Sequence, residues 1–107
     1  MKANELRIGN YYIENNQVCR VEHYDISSAY FNPDMYKPIP LTEGWLLKFG
    51  FEKKIGWDDL IYHVKNNVDL YEFLSGYEYY DFHIKHVHQL QNLYFALTGE
   101  ELKLLKD

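Results

Sequence analysis

The sequence contains a single cysteine, Cys19, among its 107 residues. An internal disulfide framework and a cysteine-based zinc site are therefore excluded, and this low cysteine content is typical of a reducing compartment. The chain also lacks any apolar run near the roughly 20 residues of a membrane-spanning helix, and its N-terminal residues lack the apolar segment of a signal peptide. We therefore expect a cytoplasmic protein.

Basic residues and clustered glycines are also scarce. Eleven lysines and arginines stand against sixteen acidic residues, which gives a formal net charge of -5. Binding to nucleic acid without sequence specificity depends on clustered basic side chains, so we expect no direct nucleic-acid binding. The six glycines are scattered singly, and the chain therefore has no glycine-rich phosphate loop.

Aromatic residues, by contrast, are abundant. They make up 18% of the chain, and eleven of them are tyrosines, whose apolar ring and polar tip suit both half-buried sheet positions and binding surfaces. The 47% apolar and 25% charged content is typical of a globular protein. The length predicts a single domain, residues 1–107, with one core.

The N-terminal half alternates between strand and turn patterns. Residues 6–13 and 17–24 are rich in β-forming residues and predict a hairpin that turns at the Asn15-Asn16 pair. Its register places these pairs opposite each other: Tyr12 and Cys19, Asn10 and Val21, Ile8 and His23. Serine, asparagine and proline predict a loop over residues 25–34. Residues 37–41 are expected to be extended, because each proline disfavours the helical conformation of the residue before it.

A short central helix is predicted over residues 43–49. Thr42 suits the N-cap position and Gly50 the position after the last turn, while Leu41 and Leu46 have the spacing of a hydrophobic staple.

The following segment predicts an antiparallel meander of strands over residues 60–65, 68–74 and 77–84. Two-residue turns are expected at Asn66-Asn67 and Ser75-Gly76. The resulting register places Tyr71 opposite both Tyr62 and Tyr80. It predicts a core face composed of Leu60, Tyr62, Val64, Tyr71, Phe73, Tyr80, Phe82 and Ile84. It predicts a solvent face composed of Ile61, His63, Lys65, Val68, Leu70, Glu72, Leu74, Tyr77, Tyr79, Asp81 and His83.

The C-terminal segment predicts an amphipathic helix over residues 85–98 that ends at Gly99. Its apolar stripe comprises Val87, Leu90, Tyr94 and Leu97, broadened by Leu93, and leaves out His88, Gln89 and Asn92. A helix of this length covers one face of a sheet. The predicted fold class is therefore α+β, with antiparallel hairpins and a meander, a short central helix and a C-terminal helix packed on the sheet.

The sequence offers no set of residues with the spacing of a catalytic or metal site. Helical geometry turns His86 and His88 about 200° apart, and we expect only His63 and His83 to approach each other. Cys19 lies on the apolar hairpin face, where a thiol behaves as a small hydrophobe. We therefore expect no catalytic residues, no cofactor and no metal.

Residues 69–81 combine four acids and four tyrosines with no base. Acids spaced on a strand face can imitate the charge of nucleic acid, while tyrosine rings supply contact area. The exposed aromatic residues of the predicted loop form a second expected contact region. The predicted partner-binding residues are Tyr30, Phe31, Tyr36, Glu72, Tyr77, Tyr79 and Asp81.

Three segments carry a resemblance: MKANELRIGNY (residues 1–11), KPIPLTEGWLLKFGF (37–51) and HVHQLQNLYFALTGEEL (86–102). Together they resemble the start, middle and end of a family of small uncharacterised proteins found in bacterial genomes, prophages and other mobile elements. Gly44 departs from the glutamate expected after Glu43. The resemblance supplies no catalytic residues. It implies a context in which small acidic proteins inhibit host defence, and some proteins similar in size and source act as anti-CRISPR proteins.

The leading functional hypothesis is a non-enzymatic inhibitor that binds a host macromolecule, with an RNA-guided nuclease as the expected protein partner. A small metal-dependent or hydrolytic enzyme is the alternative from another class. A third hypothesis is a structural or regulatory module of a mobile element that forms homodimers through its sheet.

Overall fold

The protein has an α+β fold, and its described residues form an antiparallel hairpin, a five-stranded antiparallel meander, three α-helices and two short 3-10 helices. The structure is a computed structural model that describes residue 1 and residues 3–105. The strands are β1 (Tyr11–Glu14), β2 (Gln17–Arg20), β3 (Glu52–Ile55), β4 (Ile61–Lys65), β5 (Val68–Phe73), β6 (Gly76–Tyr79) and β7 (Phe82–Ile84). The helices are α1 (His23–Phe31), α2 (Glu43–Lys48) and α3 (Val87–Thr98). The strand orders are β1-β2 and β3-β4-β5-β6-β7.

The N-terminal hairpin has the predicted turn and register. Asn15 and Asn16 both adopt positive φ angles, 52° and 63°, which a tight two-residue turn requires. Tyr12 pairs with Cys19 as expected. The predicted pairing of Ile8 with His23 is wrong, because β1 begins at Tyr11 and His23 is the first residue of α1. Ile8, which was assigned to the apolar face, is exposed.

Helix α1 replaces the loop predicted over residues 25–34, so that prediction is wrong. A capping box explains the helix start: the Glu22 backbone N–H donates to Asp25 Oδ2 at 2.7 Å, and the Glu22 side chain accepts from the Asp25 backbone. Buried Ala29 packs this helix into a small apolar cluster with Tyr12 and Val21. Helix α1 therefore forms, despite its serines, because backbone groups at both of its ends have hydrogen-bond partners and one of its faces is buried.

Helix α2 agrees with the prediction to within one residue. Thr42 occupies the N-cap position in an extended conformation, and Gly50 adopts the left-handed conformation, with φ 89°, that ends the helix. Leu46 and Phe49 are fully buried in the larger apolar cluster. The central helix thus anchors the chain immediately before the meander.

The meander register is right at its first predicted turn and wrong at its second. Tyr62 pairs with Tyr71 as expected. The second turn, however, consists of Leu74-Ser75, so Tyr71 pairs with Glu78 and not with Tyr80. Residues 77–84 also form two strands and not one, because Tyr80 adopts a φ of 51° and opens a turn between β6 and β7.

From β4 to β6 the meander buries the face that was predicted to be in solvent. In β7, Ile84 is buried as predicted, and it pairs with Tyr77. His63, Val68, Leu70 and Tyr77 are buried on the inner sheet face, whereas Tyr71 and Phe73 on the opposite face are exposed. Apolar residues lie on both faces of the sheet, so the alternation of apolar and polar residues does not by itself predict which face is buried. The compact aliphatic side chains pack against the helices, and tyrosines tolerate exposure because their hydroxyl groups remain hydrated.

Helix α3 packs on the inner sheet face and ends, as predicted, at Gly99 in the left-handed conformation. Val87, Leu90 and Tyr94 are buried, but Leu97 is exposed, contrary to prediction. His88 and Gln91 are buried instead, so the buried stripe is rotated toward the hairpin.

Gln91 joins α3 to the hairpin through two backbone groups. The Tyr11 N–H donates to its Oε1 at 2.9 Å, and its Nε2 donates to the Gly9 carbonyl at 3.1 Å. The buried apolar side chains form two clusters, one around the meander and one around the hairpin and α1, where a single core was predicted. Within residues 1 and 3–105, no helix has the length and apolar character needed to cross a bilayer.

Candidate functional site

The residues predicted to bind a partner are divided between the core and the surface. Tyr36 is buried and its hydroxyl donates to Asp25 Oδ1 at 2.8 Å. Tyr77 is buried and Tyr79 is half-buried on the inner sheet face, so both have structural roles. The expected exposure of these three tyrosines is wrong. The meander buries the face that carries Tyr77 and Tyr79, and Tyr36 is buried in the apolar cluster of the hairpin and α1.

The remaining predicted residues differ in exposure and location. Tyr30 and Phe31 are exposed at the end of α1, with their rings edge to face at 5.3 Å. Asp81 is exposed in the turn between β6 and β7, and Glu72 is half-buried beside His63. The exposure of Tyr30, Phe31 and Asp81 is confirmed, and their binding role remains a prediction.

An aromatic surface does lie on the meander, on the face that was assigned to the core. We define the outer sheet face by Tyr62, Tyr71 and Phe73, which the strand register places on one side of the sheet. The rings of Tyr62 and Tyr71 lie 6.0 Å apart. Trp57 and Leu74 are fully exposed in the turns at one end of the same sheet.

The outer sheet face has an acidic margin. The register places three acids on this face, Glu52, Asp69 and Glu78, and one lysine, Lys54. Asp58 and Asp59 lie in the turn between β3 and β4. The surface therefore combines aromatic contact area with negative charge, the two properties that the sequence predicted for the opposite face.

A compact polar group lies at one end of the inner sheet face, and we call Glu43, Lys53, His63 and Glu72 the His63 cluster. His63 is completely buried, and its Nε2 lies 3.0 Å from Glu72 Oε1. Lys53 Nζ lies 3.0 Å from Glu43 Oε1. One ligand atom from each of Glu43, His63 and Glu72 falls within 4.8 Å of the others. These three residues therefore have the composition and proximity of a metal-ligand set.

The electrostatics of the His63 cluster favour the charged forms of Glu43 and Lys53 and the neutral form of the neighbouring Tyr77 phenol. A hydrogen bond from Lys53 lowers the pKa of Glu43, and the same bond raises the pKa of Lys53. Burial raises the pKa of Tyr77, whose ring lies 5.5 Å from that of His63, and the charges of Glu72 and Glu43 raise it further. The Tyr77 phenol is thus neutral at physiological pH.

Sequence reasoning did not identify this cluster, because its residues come from separate elements: α2, β3, β4 and β5. The register pairs His63 with Leu70, which makes Glu72 its diagonal neighbour. From that pairing, the sequence could have predicted that Glu72 lies beside His63. The expected approach of His63 to His83 is wrong, since His83 lies exposed on the other face, where its Nε2 is 4.0 Å from Glu78 Oε1.

A cleft of about 340 Å³ lies between β7 and α3. Phe82 and Leu93 supply apolar wall, and buried His88 lies there with its Nε2 3.5 Å from Glu5 Oε2. The rings of His86 and His88 stack at 5.7 Å, so the predicted divergence of these two histidines is wrong. His86 precedes the helix as its N-cap, and helical spacing therefore does not apply to the pair.

His88 predicts a pH dependence of stability. Burial lowers its pKa below the ordinary value of 6.5, although the charge of Glu5 opposes the shift. The unfolded chain therefore binds this proton more tightly than the folded one, and stability is lost as the pH falls through about 6.5 toward the lowered pKa.

We expect the urea midpoint to fall less between pH 7.5 and 5.5 in His88→Gln than in the wild type. Parallel pH dependence in the two proteins would contradict this role for His88. His23→Gln, at an exposed position on α1, is the matched control and should retain the wild-type dependence.

Comparison of this chain with protein-family models, with curated proteins and with solved structures finds no match.

Proposed function

We propose that this chain is a non-enzymatic phage or mobile-element protein that binds and inhibits a protein of the host cell, acting in the cytoplasm. Its contact surface is the outer sheet face, and its partner is an RNA-guided nuclease, which would make it an anti-CRISPR protein. The observation that carries the proposal is an exposed aromatic sheet face surrounded by acidic residues.

The aromatic content of the outer sheet face supports a role in protein binding. Tyr71 and Phe73 are exposed in the centre of a sheet, and Trp57 adds a fully exposed indole at its end. Tyrosine, tryptophan and phenylalanine are enriched in the buried centres of protein interfaces, where they supply most of the binding energy. The fold does not need these side chains for its core.

The charge of the same surface supports a basic partner. Asp58, Asp59 and Asp69 lie around the aromatic residues, and the chain as a whole carries a net charge of -5. A groove that binds nucleic acid is lined with lysine and arginine, and carboxylates can occupy the positions of phosphate groups. Charge complementarity therefore favours the nucleic-acid groove of a nuclease over a neutral or acidic surface.

Self-association through the outer sheet face is less favourable. A twofold interface brings the same patch of each copy together, so Asp69 and Glu78 would face the acidic margin of the other copy. Like charges across an interface oppose binding. The homodimer hypothesis is therefore treated as an alternative outcome of the experiment below.

The proposal is tested by mixing the purified chain with reconstituted RNA-guided nucleases and measuring DNA cleavage and binding by calorimetry. We expect at least one nuclease to be inhibited, with affinity that falls as salt is raised. The double variant Tyr71→Ala/Phe73→Ala should weaken binding by about 30-fold or more, because it removes central aromatic contacts. Its thermal midpoint should stay near that of the wild type.

The matched control is Tyr24→Ala, which removes an exposed tyrosine from α1 and leaves Tyr30 and Phe31 in place. This variant should inhibit as the wild type does. If it loses binding while the outer-face variant retains it, the contact surface lies on α1. Absence of inhibition across the nuclease panel, or a wild-type chain that forms stable dimers through the outer sheet face, would contradict the proposed function.

A further inference from the structure

We propose that the His63 cluster is a binding site for a divalent transition-metal ion of the Zn²⁺ type, with Glu43, His63 and Glu72 as its protein ligands. The three residues come from α2, β4 and β5, and their ligand atoms lie within 4.8 Å of one another. One imidazole nitrogen and two carboxylate oxygens, with a fourth position left for water, form a ligand set of the kind found in open zinc sites.

The ligand positions need only a small adjustment. Ligand atoms at about 2.0–2.2 Å from a tetrahedral ion lie about 3.4 Å from one another. The His63 Nε2 and Glu72 Oε1 atoms are already 3.0 Å apart. Glu43 is half-exposed at the first turn of α2, so its carboxylate can rotate inward without disturbing the core. His63 is fixed by complete burial and supplies the rigid member of the set.

Metal binding through Nε2 changes the tautomer of His63, because in the metal-free chain Nε2–H donates to the Glu72 carboxylate, which can only accept. Ligation there requires the ring proton to sit on Nδ1. Among the described residues, Nδ1 has no hydrogen-bond partner. No neighbouring donor therefore requires Nδ1 to be unprotonated. A buried Nδ1–H without an acceptor does carry a free-energy penalty. We therefore expect moderate affinity, below that of sites whose histidines are held by carboxylates or carbonyls.

Lys53 acts as the competitor for this site. Its ammonium group lies 3.0 Å from Glu43 Oε1, and its side chain is half-exposed, so it can move into solvent when an ion arrives. Removing Lys53 should therefore strengthen metal binding. This expectation distinguishes a ligand site from a structural ion pair, in which the loss of Lys53 would only remove a favourable contact.

The donor set favours a transition metal over Mg²⁺ or Ca²⁺. Calcium takes six to eight oxygen ligands, and magnesium retains most of its water and prefers oxygen donors. Imidazole nitrogen suits zinc, copper, iron and nickel, and among divalent ions Zn²⁺ binds such sites more tightly than Co²⁺ or Mn²⁺.

The experiment is a titration of metal-free full-length protein with ZnCl₂, followed by calorimetry and by thermal melting. We expect one ion per chain and a thermal midpoint that rises with Zn²⁺ concentration. The affinity should fall at least about tenfold in Glu43→Gln and rise in Lys53→Met. Glu52→Gln, at an exposed strand position next to Lys53, is the matched control and should bind Zn²⁺ as the wild type does.

Co²⁺ in place of Zn²⁺ gives a readout that is independent of folding stability. The wild type should develop the visible absorption of tetrahedral Co²⁺, and Glu43→Gln should not. Zn²⁺ uptake that is below one ion per chain, or unaffected by Glu43→Gln, would overturn the proposal. So would loss of uptake in Glu5→Gln, because that residue lies beside His88 and outside the His63 cluster.

Discussion

Tyr77→Ala is expected to lower the free energy of unfolding by about 3–5 kcal/mol, the usual range for removing a large buried aromatic side chain. Tyr77 is 9% exposed on the inner sheet face, where it packs among the residues of the larger apolar cluster. Its removal leaves a cavity that the surrounding sheet and helices fill only in part. Chemical denaturation followed by circular dichroism measures the loss.

Tyr71→Ala is the matched comparison, because the neighbouring strand carries this tyrosine on the opposite face. Tyr71 is 36% exposed and contacts the ring of Tyr62 at 6.0 Å. Its removal should change stability by no more than about 1 kcal/mol, as is typical of surface substitutions and exposed aromatic pairs. If Tyr71→Ala were the more destabilising of the two, the sheet would bury the face predicted from the sequence, and the outer sheet face would not be free to bind.

The inversion of the two faces shows where sequence reasoning fails in this meander. The Asn66-Asn67 turn fixes the pairing of Tyr62 with Tyr71, because both asparagines tolerate the positive φ angles that the turn needs. Register determines which residues share a face and not which face is buried. Both faces here are rich in apolar residues, and only the packing of α2 and α3 distinguishes them.

The second turn of the meander was predicted at the wrong residues for a different physical reason. Ser75-Gly76 has the composition of a two-residue turn, yet the turn consists of Leu74-Ser75, and Gly76 pairs with Phe73. Leu74 is fully exposed, which hydrophobic patterning does not anticipate. Likewise, Tyr80 adopts a positive φ that is uncommon for a bulky residue. The residue composition therefore does not predict the turn after β6.

The helices were predictable where capping residues and the apolar stripe agree. Thr42 and Gly50 delimit α2, and Gly99 ends α3. Helix α1 was missed because its capping box uses Glu22 and Asp25 in place of the usual serine or threonine. A buried aspartate that accepts a hydrogen bond from Tyr36 completes this arrangement, and that partner lies outside the local sequence window.

The candidate sites were the least predictable part of the molecule. Aromatic and acidic content predicted an exposed aromatic and acidic surface, and the position of this surface depended on which sheet face was buried. The His63 cluster depended on a contact between α2 and the meander that no spacing rule describes. Sequence therefore indicated the kind of surface to expect, and tertiary packing determined which residues form it.

Leu90→Ala is expected to lower the free energy of unfolding by about 2–5 kcal/mol, because Leu90 is fully buried where α3 packs on the inner sheet face. Leu97→Ala makes the same chemical change in the same helix at a position that is 46% exposed, and it should cost no more than about 1 kcal/mol. Denaturant midpoints of the two variants, compared at equal m-values, measure the difference. Equal losses would mean that α3 is rotated toward the stripe predicted from the sequence, which would place Leu97 in the core and His88 in solvent.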